Sequence, residues 1–363
     1  MPIRQVRPSP LLDLPIEILL LIADILDTRD VSSFLRTARR YADILDSNLY
    51  QRARTHICAD GNSVLGWAAK RNQASIIRKI LSKTSDAPIP LEEKSRALCL
   101  AAEAGTNCII KLLVDAGADL SSAIHMGEGQ TYSALQLAAG NSHETVVHML
   151  LGMGADIAVT NSGQETALHH AARGGQESVT RLLLEKGADV GALTMNRETA
   201  LHYAALFGNE AVVELLLEKG VDLEAASSNG QTALFYAFGF ENPRGESVLN
   251  LLLAKGADVT VSERFRHMTP LLLAAEDGNE WAVRSLLANG ANVMDRDILG
   301  HTTLHIAAES GNEAVVKMLL EKGADVSAVV VEEDDTPRNF AEWSGNEAIV
   351  RLLEEAVTQC VRN

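Results

Sequence analysis

Apolar side chains recur along this chain at the spacing of helices rather than strands. Val212, Val213, Leu216 and Leu217 fall on one face of a helix, because residues three and four apart are neighbours on a helical surface. Gly220 follows them and is a suitable helix stop. The pattern therefore predicts an amphipathic helix whose apolar face needs a partner.

A shorter helix is predicted immediately before this one. The hydroxyl of Thr199 is suited to cap its first turn, and the adjacent Ala204 and Ala205 allow another helix to approach closely. Gly208 is suited to end it. Two helices joined by a tight turn follow from this arrangement. A single pair cannot bury its apolar face alone, so we expect neighbouring pairs to stack.

The same pattern returns at a fixed period. A marker leucine recurs every 33 or 37 residues, at Leu98, Leu135, Leu168, Leu201, Leu234, Leu271 and Leu304. Five of these leucines lie in closely similar strings, namely Thr166-Ala167-Leu168-His169, Thr199-Ala200-Leu201-His202, Thr232-Ala233-Leu234-Phe235, Thr269-Pro270-Leu271-Leu272 and Thr302-Thr303-Leu304-His305. A period of this length is typical of stacked repeat proteins.

The repeat resembles that of the ankyrin family, whose Thr-Pro-Leu-His-x-Ala signature matches these strings. The resemblance covers residues 60–357 and implies an all-α solenoid of eight or nine helix–turn–helix repeats with short hairpin loops. The end units depart from the signature. In Thr336-Pro337-Arg338-Asn339 an arginine replaces the marker leucine, and we expect it to give the last unit a wetter outer face.

Residues 11–56 do not follow the repeat, and we expect residues 1–10 and 358–363 to be terminal tails. The apolar positions of the segment have helical spacing, and Pro15 suits a first helical turn. The segment is similar to the F-box through Leu14, Pro15, Glu17, Ile18, Ile22, Leu26, Asp30 and Arg39-Arg40.

The F-box resemblance implies docking onto the Skp-type linker of a cullin–RING ubiquitin ligase. The contact residues that it implies are Leu14, Pro15, Ile18, Ile22 and Leu26. The repeats would then select the protein substrate. Read from the residues alone, these helices could instead cap the apolar end of the first repeat.

Composition and charge narrow the classes of function. The chain of 363 residues carries a formal charge of −16, and eight arginines and seven acidic residues balance within residues 1–56. The acidic remainder disfavours nucleic acid as a partner. Charged residues interrupt the apolar stretch from Leu11 to Leu26, so we expect no membrane span or cleaved signal. Cys58, Cys99, Cys108 and Cys360 form no paired motif, which favours the reducing cytoplasm or nucleus.

The histidines favour a structural role. His169, His202 and His305 share one repeat position, and the ankyrin resemblance implies that this histidine is hydrogen-bonded within its repeat. His170 has no such explanation. The sequence contains no nucleophile elbow, zinc-protease helix or phosphate-binding loop. We therefore predict no catalytic residue, metal or cofactor.

The aromatic residues point to a binding surface. Seven of the fifteen fall between positions 203 and 265. The ankyrin resemblance places residues after the paired alanines in a concave groove, and exposed aromatics are enriched at binding hot spots. The groove residues predicted on this basis are His170, Arg173, Tyr203, Leu206, Phe207, Phe238, Phe240 and Glu276, with Asp277 and Glu309 as further polar flanks.

Three functions remain open at this point. The first is a ubiquitin-ligase adaptor that holds a substrate in the groove, and the second is a plain scaffold. The third is an enzyme with a closed pocket around His170, Tyr203, Phe207 and Phe240.

Overall fold

The computed structural model describes residues 62–82, 88–125, 130–238, 244–330 and 334–362, and the side chains within them up to residue 359. Segment 11–56, with the implied linker contacts Leu14, Pro15, Ile18, Ile22 and Leu26, lies outside the described residues, as does Phe240.

The chain divides into two compact units, residues 1–162 and 163–363. The described part of the first unit contains six helices and one hairpin, namely α1 (Val64–Lys70), α2 (Ala74–Ser82), α3 (Leu91–Glu103), α4 (Asn107–Asp115), β1 (Ala123–His125), β2 (Thr131–Ser133), α5 (Ala134–Gly140) and α6 (Glu144–Gly152). The strands pair in antiparallel fashion, with Ile124 opposite Tyr132.

The described part of the second unit contains twelve helices, namely α7 (Ala167–Arg173), α8 (Glu177–Glu185), α9 (Ala200–Leu206), α10 (Glu210–Glu218), α11 (Ala233–Tyr236), α12 (Gly245–Ala254), α13 (Pro270–Glu276), α14 (Glu280–Ala288), α15 (Thr303–Ser310), α16 (Glu313–Glu321), α17 (Pro337–Trp343) and α18 (Glu347–Arg362). The described helices of both units thus form nine successive pairs. The last helix continues to Arg362, so most of the predicted C-terminal tail is helical.

Each pair has the predicted helix–turn–helix form. In the pair α9 and α10, Gly208 and Gly220 follow the helix ends with φ angles of +67° and +82°, which an L side chain rarely adopts. Leu201 and Leu216 are fully buried. Burial of each such leucine contributes about 1.5–3 kcal/mol, and stacking of neighbouring pairs provides it.

First helices stack on first helices, and second helices on second helices. In the second unit α7 packs against α9 and α13 against α15, while α10 packs against α8 and α12. The loops between pairs are joined by backbone hydrogen bonds at their tips, including Met195 N to Gly163 O at 2.9 Å and Ile298 N to Arg266 O at 2.8 Å. The repeats are therefore connected along two helix layers and along the loop tips.

The last repeat has the predicted polar outer face. Arg338 occupies the marker-leucine position but is exposed, and it forms ion pairs with Glu342 and Glu354, each at 2.9 Å. A guanidinium tolerates water where a leucine would need a further repeat to cover it.

The repeat that contains α11 departs from the others. Its first helix has four residues, whereas α7 and α9 have seven. Phe235 and Phe238 are both buried, at 3% and 2% exposure. The prediction that Phe238 lines the groove is therefore wrong, because the helix ends at Tyr236 and the ring of Phe238 lies in the core.

Candidate protein-binding face of the second unit

Two rows of side chains define one face of the second unit. The fourth-position row consists of the residues four places after each capping threonine, His170, Tyr203, Tyr236, Leu273, Ile306 and Phe340. The seventh-position row consists of the described residues three places further on, Arg173, Leu206, Glu276, Glu309 and Trp343, and Phe207, which follows Leu206, is counted with it. Residues three apart share a helical face, so the fourth-position row forms the floor beneath the more exposed seventh-position row.

In three of the described repeats, a capping threonine and a buried histidine hold the first helix in place. The backbone N–H of Thr199 donates to Nδ1 of His202 at 3.1 Å, and Nε2 of His202 lies 3.2 Å from the carbonyl oxygen of Gln231 in the next repeat. Because Nδ1 accepts, Nε2 carries the proton and donates to that carbonyl. The predicted structural role of this histidine is confirmed, and the bond to Gln231 extends it across the repeat boundary.

The same arrangement recurs at His169 and His305. Their Nε2 atoms lie 3.2 Å from the carbonyl oxygens of Glu198 and Asp335. Burial lowers the pKa of all three histidines, although the backbone carbonyl at Nε2 opposes the shift. The neutral ring is therefore the form that the folded repeats hold.

His170 lies in the floor, beside a buried carboxylate. Its Nε2 is 3.4 Å from Oε2 of Glu165, and the hydroxyl of Tyr203 donates to Oε1 of Glu165 at 2.8 Å. Burial lowers the pKa of His170 to about 4, and the Glu165 carboxylate opposes that shift. His170 is 7% exposed. It therefore lies beneath the face, whereas the sequence analysis predicts it as an exposed residue of the groove.

A second tyrosine–glutamate pair repeats this contact one repeat further along. The hydroxyl of Tyr236 donates to Oε1 of Glu198 at 2.7 Å, and its ring meets His202 edge to face at 5.1 Å. Burial and the glutamate hydrogen bond raise the pKa of both tyrosines. Both phenols therefore stay protonated, and each donates a hydrogen bond that links its repeat to the previous one.

Arg173 is positioned by two aromatic rings. Its Cζ lies 5.4 Å from the centre of the Tyr203 ring and 5.6 Å from that of Phe207. Phe207 is 46% exposed and Leu206 is 36% exposed. The rings hold the guanidinium by cation–π attraction, and its N–H groups can still reach a partner carboxylate. The structure thus brings Arg173, Tyr203, Leu206 and Phe207 together as predicted.

Trp343 is an exposed aromatic that the sequence analysis missed. It is 64% exposed and packs against Phe340 with ring centres 5.3 Å apart. Phe340 is held in turn by edge contacts with His301 and His305. Trp343 lies seven places after Thr336, as Leu206 lies seven places after Thr199, so the repeat register could have identified it.

The centre of the seventh-position row is acidic. Glu276 forms a two-point ion pair with Arg266, and the next residue, Asp277, is half-buried. Burial, and then the charge of Glu276, raises the pKa of Asp277. Glu309 is exposed in the next repeat. The row therefore combines a cationic aromatic end, an acidic centre and an aromatic end at Trp343.

The described residues contain no group of three or more side chains placed to hold a metal. An open cleft of about 490 Å³ lies at the turn beside Gly208, Glu210 and Arg244, and none of the predicted groove residues lines it. The pocket considered for an enzyme includes Phe240, which lies outside the described residues.

The sequence profile described as "Ankyrin repeats (3 copies)" matches overlapping segments over most of the chain, residues 65–161, 98–194, 191–263, 241–330 and 271–361. The chain belongs to the ankyrin-repeat family. A solved structure supports the fold, since the ankyrin repeat domain of Bcl-3, described as a unique member of the IkappaB protein family, is similar at 32% identity with a TM-score of 0.51. The similarity covers 57% of this chain and 92% of that domain.

No match was found among curated proteins. Ankyrin repeats are protein-interaction scaffolds, so this ankyrin-repeat chain has the architecture of a protein that binds proteins. Within the part of the chain that the structure describes, no helix has the length and apolar character needed to cross a bilayer.

Proposed function

We propose that this ankyrin-repeat protein is a substrate-recognition adaptor of an SCF-type ubiquitin ligase. In this proposal the seventh-position row binds the substrate, and residues 11–56 dock onto the Skp-type linker of the cullin complex. The observation that carries the substrate-binding part is the exposed cluster of Arg173, Leu206 and Phe207. Within it, the rings of Phe207 and of half-buried Tyr203 hold the guanidinium of Arg173 in place.

The cluster has the features of a binding hot spot. Arginine and aromatic side chains dominate binding energy where they are held in place before the partner arrives. A partner carboxylate would pair with Arg173, and an apolar partner side chain would cover Phe207. Trp343 provides a second apolar anchor on the same row.

Support for the ligase part comes from the sequence of residues 11–56. Leu14, Pro15 and Ile18 match the start of the F-box pattern. The competing function is a plain scaffold, in which these residues only cap the first repeat. The two functions differ in one property, which is stable binding to a Skp-type linker.

The first test is co-purification of the full chain with a Skp-type linker. The native chain is compared with Leu14→Ala/Pro15→Ala and with a control, Leu91→Ala, at an apolar residue that is 56% exposed in the first unit. The adaptor function predicts that the native and control chains retain the linker and that the double variant loses it with unchanged helicity. If the folded native chain fails to bind, the ligase part is wrong and the scaffold function stands.

The second test separates the substrate-binding part from the ligase part. Proteins crosslinked to the native chain are compared with those crosslinked to Phe207→Ala/Trp343→Ala and to Leu91→Ala. A substrate should be retained by the native chain and the control but not by the row variant, and a reconstituted ligase should modify it with ubiquitin. Equal retention by all three chains would contradict binding on this row.

A further inference from the structure

Two neighbouring loop tips of the second unit expose apolar side chains. These side chains are Phe265 in loop 262–268 and Ile298 and Leu299 in loop 296–301, at 68%, 57% and 66% exposure. The N–H of Ile298 donates to the carbonyl oxygen of Arg266 at 2.8 Å, so the two tips lie side by side. The equivalent positions of the preceding tip are polar, with Ser228 and Asn229. One tip further back exposes a single apolar side chain, Met195, at 64%. Among the described tips between residues 162 and 301, only these two neighbours both expose large apolar side chains.

Both tips are held in fixed conformations by a carboxylate beneath them. Glu263 is 8% exposed and accepts the N–H groups of Phe265 at 2.8 Å, Arg266 at 2.5 Å and Met268 at 3.2 Å. Asp297 accepts the N–H groups of Leu299 and His301 in the adjacent loop. A surface that is ordered before binding loses little conformational entropy when a partner docks.

The same tips are locally basic on an acidic protein. The carboxylates of Glu263 and Asp297 are turned inward to backbone N–H groups, whereas Arg264 and Arg296 are exposed. Nη1 of Arg296 donates to the carbonyl oxygens of Gly300 and Val329. Among the described residues, neither arginine forms an ion pair with a carboxylate. Loops 262–268 and 296–301 together hold three arginines and two carboxylates, a formal charge of +1, whereas the chain as a whole carries −16.

We propose that the loop tips 262–268 and 296–301 form a second docking surface, which binds a short partner segment with acidic side chains next to apolar ones. The apolar residues of the segment would cover Phe265, Ile298 and Leu299, and its carboxylates would pair with Arg264 and Arg296. Arg266 of the first tip is ion-paired with Glu276 of the seventh-position row, so the surface borders the row and adds a second contact to whatever partner the row holds.

Other occupants fit these observations less well. A second copy of this chain would bring another strongly acidic molecule, and three side chains offer far less area than the roughly 1,600 Å² of a stable protein interface. A nucleic acid would gain from the arginines, but aliphatic Ile298 and Leu299 cannot stack on bases, and the net charge repels phosphates. A short acidic and apolar peptide uses both features of the patch.

The test is selection of random peptides displayed on phage against the full native chain. A tip variant, Phe265→Ser/Leu299→Ser, serves for counter-selection, and Leu91→Ser is the matched control at an exposed leucine elsewhere. Thermal unfolding should show that both variants fold, since the changed side chains are exposed. We expect enriched peptides that combine acidic and apolar residues and that bind the native chain and the control equally.

A fluorescein-labelled copy of the most enriched peptide then tests the chemistry by anisotropy. We expect binding to weaken about tenfold or more in the tip variant and several-fold in Arg264→Glu, to weaken further in high salt, and to be unchanged in Phe207→Ala. The inference is overturned if no selected peptide loses binding in the tip variant, or if the peptides that do lose binding lack acidic residues. Loss of peptide binding in Phe207→Ala would also overturn it. So would binding of an RNA oligonucleotide to the tip, or a change in the oligomeric state of the chain in the tip variant.

Discussion

The marker-leucine positions and the seventh-position row lie on the same first helices of the second unit, yet they differ in both chemistry and exposure. Leu168, Leu201, Leu234, Leu271 and Leu304 are the same residue in five successive repeats, and each is at most 1% exposed. The seventh-position row reads Arg173, Leu206, Glu276, Glu309 and Trp343 in the repeats where the structure describes it.

This difference separates the part of each helix that builds the stack from the part that can recognise a partner. A leucine must fill the same space between neighbouring repeats every time, because protein interiors are close-packed. The seventh position faces outward, so packing does not restrict its residue. The varied row therefore carries the information specific to this protein, and substitutions at the two positions should have opposite consequences.

The largest effect on stability is expected at the marker leucine. Leu201→Ala should lower the free energy of unfolding by about 2–5 kcal/mol, because it removes fully buried methyl groups and leaves a cavity. Leu206→Ala, on the same helix but 36% exposed, should cost less than about 1 kcal/mol. Urea unfolding followed by circular dichroism measures both. Equal losses would contradict the assignment of the two positions to core and face.

The next effect concerns pH and the buried histidines. Burial lowers the pKa of His169, His202 and His305 in the folded state, so the unfolded chain takes up protons first as the pH falls below about 6.5. Stability is therefore complete above that pH and decreases below it, by up to about 1.4 kcal/mol per pH unit for each extra proton that the unfolded chain binds. Urea unfolding between pH 7.5 and about 5 measures this slope.

The chain itself offers a control for this pH effect. Gln136 occupies the histidine position in α5, where Oε1 accepts the N–H of Ser133 at 2.8 Å and Nε2 donates to the carbonyl oxygen of Val159 at 3.3 Å. His202→Gln should keep both kinds of hydrogen bond without a titrating ring. It should make the loss of stability below about pH 6.5 shallower. An unchanged slope would show that His202 does not contribute to the pH dependence.

Much of the stack was predictable from the sequence, because the first and second helices depend on local patterns. The threonine cap, the buried leucine and the stops at Gly208 and Gly220 all lie within one repeat. The burial of Phe238 could not be predicted, because nothing in the repeat pattern indicates that α11 ends after four residues. Trp343 can be found from the repeat register, because it lies seven places after Thr336.

The contacts that hold the floor of the face could not be read from the sequence. Glu165 and Tyr203 are 38 residues apart, and nothing local to either residue indicates the other. Their contact depends on the offset between stacked repeats, which brings the fourth position of one repeat over the loop of the previous one. Pairs of this kind need coordinates, even when the fold is recognised.

A smaller effect is expected from these tyrosine–glutamate pairs. Tyr203→Phe removes a hydrogen bond from Glu165, which is 7% exposed, and should cost about 1–3 kcal/mol of stability. Tyr236→Phe removes the equivalent hydrogen bond from Glu198, which is half-buried and can bond to water instead. The free energy of unfolding should therefore fall by only about 0.5–1 kcal/mol, within the range of about 0.5–1.5 kcal/mol for a hydrogen bond. Thermal unfolding of both variants measures the difference. A larger loss for Tyr236→Phe would contradict the role assigned to burial.

The smallest effect on stability should come from the exposed row. This prediction separates most clearly the residues that build the stack from those that bind a partner. Phe207→Ala and Trp343→Ala should each change the free energy of unfolding by less than about 1 kcal/mol, because these rings are 46% and 64% exposed. Binding of a partner to the row should nevertheless weaken about tenfold or more, since exposed aromatics in fixed positions supply most of the energy of an interface. Unfolding and binding measured on the same variants distinguish the two roles of these rings. Weaker binding at unchanged stability would assign them to recognition of the partner. A loss of stability large enough to explain the weaker binding would instead make them part of the stack.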